Sequence, residues 1–213
     1  MSKFYTNLVL LGDDILYRGY EHGQRVQYRD RSSPVLFFVP KAQSKPTKFK
    51  TLDGRRAYKK QFSGAREARE VLKQYEDTDG LEVHGYERFV YQHINQQFPA
   101  DIDYDMSMMK IYTIDIEVAC ENGFPDVQAS AEEMLCLTIK DFNTKKIITW
   151  GTREFTPPEG VEYRVFWTEQ EMLQDFHKWW SDNTPDIITG WNNNLYDIPY
   201  ICRRMERVLG EKW

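Results

Sequence analysis

Asp115 and Glu117 lie two residues apart in Ile111-Tyr-Thr-Ile-Asp-Ile-Glu-Val118, where apolar and polar residues alternate. In an extended chain successive side chains point to opposite faces. Tyr112, Ile114, Ile116 and Val118 therefore share an apolar face, and Thr113, Asp115 and Glu117 share the other. Two strand residues separate the carboxylates by roughly 6.6 Å at the backbone, near enough for both to reach one cation. The plain alternative is the wet face of an amphipathic strand. Asp197 is the third acid of interest, standing where a loop gives way to a helical pattern with Pro199 just inside. As a plain helix cap it is unremarkable, since Asp is favoured there and Pro suits the first turn. A helix N-terminus also favours the ionised carboxylate that a metal requires, so the two readings coexist. Three unpaired carboxylates in one cleft raise one another's pKa values unless divalent cations neutralise them. Oxygen-only donors suit Mg²⁺ or Mn²⁺ rather than zinc. Two such ions, about 4 Å apart, would stabilise the attacking and leaving oxygens of an in-line phosphodiester hydrolysis.

The elements needed to bring these acids together can be traced along residues 106–213. Ile111–Val118, Met134–Lys140 and Lys146–Gly151 read as strands, with Asp141-Phe-Asn-Thr144 turning the last two into a hairpin. A short strand is expected at Tyr163–Phe166. Thr168-Glu-Gln-Glu171 is a capping box opening a helix with Met172, Leu173, Phe176 and Trp180 inward. Pro185–Gly190 reads as a buried strand, and Ile198, Ile201, Cys202, Met205 and Leu209 mark a last helix stopped at Gly210. Early antiparallel strands followed by helix, strand and helix open a ribonuclease-H-like sheet. Its first strand is central and a later strand packs beside it, which would carry Asp197 to Asp115 and Glu117.

Residues 1–105 are β-rich. Phe4–Leu10, two strands about Glu21-His-Gly-Gln24, and Pro34–Pro40 read as strands. Ser63 is expected to cap a helix to about Asp77, with Ala68, Val71, Leu72 and Tyr75 inward, and a strand is expected near Tyr86–Tyr91. The fold class is thus α/β of mixed α+β type. A β-rich domain over 1–105 precedes a partial ribonuclease-H-like domain over 106–213.

The net charge of −5 hides an asymmetry: the first 105 residues hold 17 Lys and Arg against 15 Asp and Glu, the remainder 11 against 18. An acidic half repels a nucleic-acid backbone unless its carboxylates bind cations or face away. Cys120, Cys136 and Cys202 form no close pair, which argues against a disulfide framework or zinc knuckle and fits a reducing cytoplasm. No apolar run approaches membrane-spanning length, and no signal peptide opens the chain.

Tyr112-Thr-Ile-Asp-Ile-Glu-Val118 resembles the first exonuclease motif of family B DNA polymerases. Ile187-Ile-Thr-Gly-Trp-Asn-Asn-Asn-Leu-Tyr-Asp-Ile-Pro-Tyr200 is similar to the second, in which an Asn precedes an aromatic-Asp pair. With Gly123-Phe-Pro125 between them, the match points to the branch found in T4-type bacteriophages, and the resemblance covers essentially the whole chain. It implies a replicative DNA-directed DNA polymerase with 3′–5′ proofreading. Asp115 would bind both metals, Glu117 the metal that activates water, and Asp197 the other. Asn192 would help hold the primer terminus. Phe124 would stack on a frayed base, or else pack a turn. Tyr196 reads as a packing residue. The third exonuclease motif, a Tyr followed four residues later by an Asp, has no counterpart after Asp197, and the polymerase palm is missing. The expectation is an amino-terminal fragment that by itself hydrolyses DNA feebly or not at all.

By the same resemblance residues 1–105 form an amino-terminal domain that contacts template and is partly similar to RNA-binding folds. Its basic run holds eight Lys or Arg between Lys41 and Lys60, with Asp53 the only acid. Lys48, Arg55 and Lys59 are candidate contacts for single-stranded DNA or RNA, against the alternative of a solvated loop. Implied partners are primer-template DNA and, through regions outside this sequence, a sliding clamp and replisome proteins. A stand-alone ribonuclease-H-like nuclease and a binding module with structural acids are the competing readings.

Overall fold

The structure, a computed structural model, describes residues 3–42, 45–76, 78–85, 88–121 and 123–210. The chain divides into two compact units, Met1–Asp105 and Met106–Trp213.

The first unit opens with an antiparallel meander of β1 (Lys3–Leu11), β2 (Asp14–Glu21) and β3 (Gln24–Arg31). His22 and Gly23 both have positive φ and join β2 to β3 as a two-residue hairpin turn, pairing Glu21 with Gln24. A second sheet has the order β5-β6-β4-β7, built from β4 (Val35–Pro40), β5 (Phe49–Lys50), β6 (Arg56–Gln61) and β7 (Leu81–His84). Helices α1 (Ala65–Tyr75) and α2 (Phe89–Gln97) accompany it. Leu36, Phe62, Ala65, Ala68 and Phe89 form its buried core.

Two expectations need correction here. Ser63 does not cap α1. Gly64 holds that position, and the Ser63 amide and hydroxyl both donate to the Glu67 carboxylate instead. The helix end is satisfied from outside: the Asp13 carboxylate accepts the Arg66 amide at 2.8 Å. A Cβ at residue 64 would stand 2.5 Å from that carboxylate, so glycine is what lets Asp13 reach the helix. Second, the expected strand at 86–91 is helix over its last three residues. Tyr86 and Glu87 lie outside the described residues, the strand runs earlier at Leu81–His84, and α2 begins at Phe89. Phe89 and His93, spaced four apart, are both buried, and this helical stripe outweighs the short apolar alternation.

The second unit is a five-stranded sheet in the order β11-β10-β9-β8-β12. Strands β8 (Ile111–Val118), β9 (Met134–Asp141) and β10 (Ile147–Gly151) are antiparallel neighbours. Strand β11 (Val161–Val165) runs parallel to β10, and β12 (Ile187–Thr189) runs parallel to β8. Helix α3 (Glu169–Asp182) starts as the capping residues predict, with Thr168 Oγ1 accepting the Glu171 amide at 3.2 Å. Helix α4 (Asp197–Leu209) stops at Gly210. Both helices pack on the face bearing Ile114, Ile116, Leu137 and Ile139, and bury Met172, Leu173, Phe176, Tyr200 and Ile201 against it. The ribonuclease-H-like expectation, a central β8 with a late strand beside it, agrees with this order. Strand β12 differs from expectation in being exposed at all three residues, with Ile187 and Ile188 about 40% open. It lies at the sheet edge, bonded to β8 on one side.

Candidate active site

Strand β8 alternates as its sequence dictates: Ile114 and Ile116 face the core, while Asp115 and Glu117 are exposed on the opposite face. Register sets their cross-strand neighbours, Asp115 opposite Thr138 and Glu117 opposite Cys136. No Lys or Arg pairs with either acid among the described residues.

The other edge of β8 explains Asp197. Parallel pairing with β12 ends at Thr113 and Thr189, so β8 is without a partner strand on that side from Ile114 onward. At Gly190 the chain leaves the strand against the Ile114 carbonyl. A Cβ there would stand 2.6 Å from that oxygen and 2.3 Å from Oδ1 of Asn193. The loop then turns on Asn192, whose φ is +60° and whose carbonyl accepts the Leu195 and Tyr196 amides. This delivers Asp197, the first residue of α4 and only 4% exposed, to the vacated edge of β8, near the Ile116 backbone. Asp197 is therefore not the helix cap, a place taken by Tyr196.

Burial pushes the Asp197 carboxyl above the ordinary carboxylate range, its own amide pulls it back, and the charge of Asp115 raises it again. Asp115 and Asp197, from different elements, are thus brought within electrostatic reach of each other. Glu117 is felt by the neighbouring Tyr196 phenol but is not drawn in as closely. Among the described residues no three His, Cys, Asp or Glu side chains converge tightly enough to hold a metal ion. The carboxylate-only donor set suits a hard divalent cation, and a desolvated acid beside a second acid is a place where a cation lowers the energy. The electrostatic coupling is between Asp115 and Asp197, while Glu117 acts on Tyr196.

A raised folded-state pKa means the folded protein holds this proton more tightly than the unfolded chain. Asp197 thus costs no stability below the unfolded pKa and an increasing amount as pH rises through the folded one. We expect Asp197→Asn to melt higher than the parent at neutral pH in chelator. The gain should shrink as pH falls from neutral toward the ordinary carboxylate range, where folded and unfolded chains both hold the proton. An equal loss of melting temperature at both ends would contradict this. Gly190→Ala should act oppositely. Steric pressure on the Ile114 carbonyl and Asn193 should lower stability by about 1–3 kcal/mol in chemical denaturation, whereas an unchanged midpoint would mean that the loop yields freely.

The remaining candidates fall into three groups. Phe124 is 83% exposed, and its ring leans on Tyr196 with centroids 5.0 Å apart, so it stands beside Asp197. Tyr196 continues to Tyr200 at 5.6 Å, consistent with a packing role. Asn192 is exposed at the bend of the same loop. In the first unit, Lys48 and Lys59 are exposed, Lys48 lying 5.3 Å from the Phe49 ring centroid. Arg55 is committed elsewhere: it bonds Asp53 at 2.7 Å and both oxygens of Glu82.

Two features escaped the sequence. Asn193 is 7% exposed, and neither atom of its amide has a hydrogen-bond partner. Nothing in Asn192-Asn-Asn194 says which of the three is buried. Glu169 and Arg204 form a buried ion pair, Nη2 to Oε2 at 2.6 Å, that ties the start of α3 to α4. Arg204 also donates to the Ser130 and Ala131 carbonyls, and Glu169 accepts the Met134 amide. The only sequence signal was an acid and an arginine falling on otherwise apolar helix faces.

Residues 87–213, more than half of the chain, match the model of the DNA polymerase family B exonuclease domain. The chain belongs to this family. Its relatives include the DNA-directed DNA polymerase of Escherichia phage RB69, 26% identical over 99% of this chain, and that of Enterobacteria phage T4, 27% identical over all of it. The DNA polymerase catalytic subunit of human herpesvirus 6A is 29% identical over 50% of the chain. The chain spans about a quarter of the two phage polymerases, 26% of each. The family assignment agrees with the motif resemblance at Asp115-Ile-Glu117 and Tyr196-Asp197.

Proposed function

We propose that residues 106–213 contribute the metal-binding carboxylates of a 3′–5′ proofreading exonuclease working within a replicative DNA-directed DNA polymerase. Residues 1–105 would be the polymerase's amino-terminal, partly RNA-binding-like domain. The observation that carries this reading is the meeting of Asp115 and Asp197 at the vacated edge of β8, in a chain of the family B exonuclease family.

Asp115, Asp197 and Glu117 would hold Mg²⁺ or Mn²⁺, two ions in the complete site. Bound there, the ions supply charge stabilisation to the attacking and leaving oxygens of phosphodiester hydrolysis. The protein's own part is positioning. Core packing of Ile114, Ile116 and Tyr200 fixes the strand and helix that carry both acids. Phe124, exposed and backed by Tyr196, offers a face on which an unpaired terminal base can stack. Asn192, at the bend before Asp197, is within the loop that would meet the primer strand. Primer-template DNA and single-stranded DNA are the proposed substrates. A sliding clamp and other replisome proteins are the proposed partners of the longer protein, and the host cytoplasm its setting. No helix among the described residues is long and apolar enough to cross a membrane.

The test is release of nucleotides from a 3′-labelled single strand in Mg²⁺ or Mn²⁺, compared with Asp115→Ala. A metal-dependent rate, however small, that vanishes in the variant supports the reading. A rate indifferent to the substitution, with unchanged metal affinity, favours a binding module with structural acids.

A further inference from the structure

A groove crosses the first unit between α1 and β7, with a cavity volume of about 750 Å³. A second stretch of about 520 Å³ lies between β1 and α2. Arg69 and Arg88 line both, so the two stretches join at these guanidiniums. Lys73, one helical turn beyond Arg69 on α1, extends the cationic wall into the first stretch. Among the described residues none of the three cations has an ion-pair partner. Among the described residues the acids of the first stretch are Glu76 and Glu82, and the Glu82 carboxylate is already taken by Arg55 and His84. The described lining of the groove therefore keeps an excess of positive charge.

Its walls are also aromatic. Tyr75 lines the first stretch, and Tyr5 and Tyr91 the second. The Arg69 guanidinium lies 5.8 Å from the centroid of the buried Phe89 ring, which holds it at the junction. Cations spaced along an open groove with rings between them match a polyanion whose bases are free to stack, and they do not match a duplex, whose bases are already stacked.

We propose that this groove, rather than the β5–β6 hairpin, is where the first unit holds single-stranded nucleic acid, with phosphates at Arg69, Lys73 and Arg88 and bases against the tyrosines. The inference rests on the reading that the chain works on nucleic acid, and it moves the contact. Of the three hairpin candidates, Arg55 already has its charge matched by Asp53 and Glu82, leaving Lys48 and Lys59.

The test is fluorescence anisotropy of the full chain with a labelled oligothymidine of about 12 nucleotides, in EDTA, across a salt series. Without metal, the outcome is independent of hydrolysis at Asp115. Arg69→Glu with Arg88→Glu should weaken binding at least about tenfold at low salt. It should also flatten the slope of log affinity against log salt by about 1.4, two lost phosphate contacts on a single strand. Lys48→Glu with Lys59→Glu should change affinity less than about threefold. If the glutamate pair fails to fold, judged by its melt, Arg69→Gln with Arg88→Gln carries the test with an expected loss of about threefold or more. The proposal is overturned if groove substitutions leave affinity and slope unchanged, if hairpin reversal weakens binding as much as groove reversal, or if the parent chain binds no single strand. None of these results would touch the metal-site reading.

Discussion

Arg204→Met should lower the stability of the second unit by about 3–5 kcal/mol, because it strands the buried Glu169 carboxylate without its partner. The pair is fully engaged: two bonds between the side chains, two from Arg204 to the Ser130 and Ala131 carbonyls, and one from the Met134 amide to Glu169. Domains of this size are stable by about 5–15 kcal/mol, so the loss is a large fraction of the total. With a urea slope of about 1–3 kcal/mol per molar, the midpoint should fall by more than about 1 M. Arg203, next in sequence, bonds only Gln128 at the exposed surface, and Arg203→Met should shift the midpoint little. Equal shifts in the two variants would show that the buried pair is not the tie between α3 and α4.

The second large effect is on the metal. In the proposed site Asp115 and Asp197 would share a cation, and removing either would take away a direct ligand charge. We expect Asp115→Ala and Asp197→Ala each to weaken Mn²⁺ binding at least about tenfold, as each tenfold corresponds to about 1.4 kcal/mol. Where hydrolysis is measurable, the loss of transition-state charge stabilisation should reach several kcal/mol, about 10²–10⁴ in rate. Glu117→Ala should affect affinity less than either, since the Asp197 carboxyl feels the charge of Asp115 and not that of Glu117. A ranking with Glu117 first would mean that the strand pair Asp115–Glu117, rather than Asp115–Asp197, is the primary site.

Much of this was legible from residue pattern. Alternation in Ile111–Val118 fixes the faces of β8, the capping residues at Thr168–Glu171 locate α3, and Gly210 ends α4. These signals are local, and local geometry is what alternation and caps report. The strand expected near Tyr86–Tyr91 overlaps the start of α2 because the apolar residues there fit a short strand as well as a helical stripe, and packing of Phe89 with Leu36 and Phe62 decides. Strand β12 was read as buried because Ile187-Ile188 is apolar, yet its edge position leaves both open, and edge position is a property of topology. The acids were identifiable as residues, but their relation was not. Asp197 meets β8 because β12 stops at Thr189, a length that no propensity sets. Arg55 looked free in a basic run until the fold paired it with Glu82, 27 positions away.

The central claim is most directly tested by diffraction from crystals grown with Mn²⁺, using the anomalous signal of the metal. The account predicts a peak bound by the carboxylates of both Asp115 and Asp197. A peak held by Asp115 and Glu117 on the open sheet face without Asp197, or no peak near β8 at saturating Mn²⁺, would contradict it.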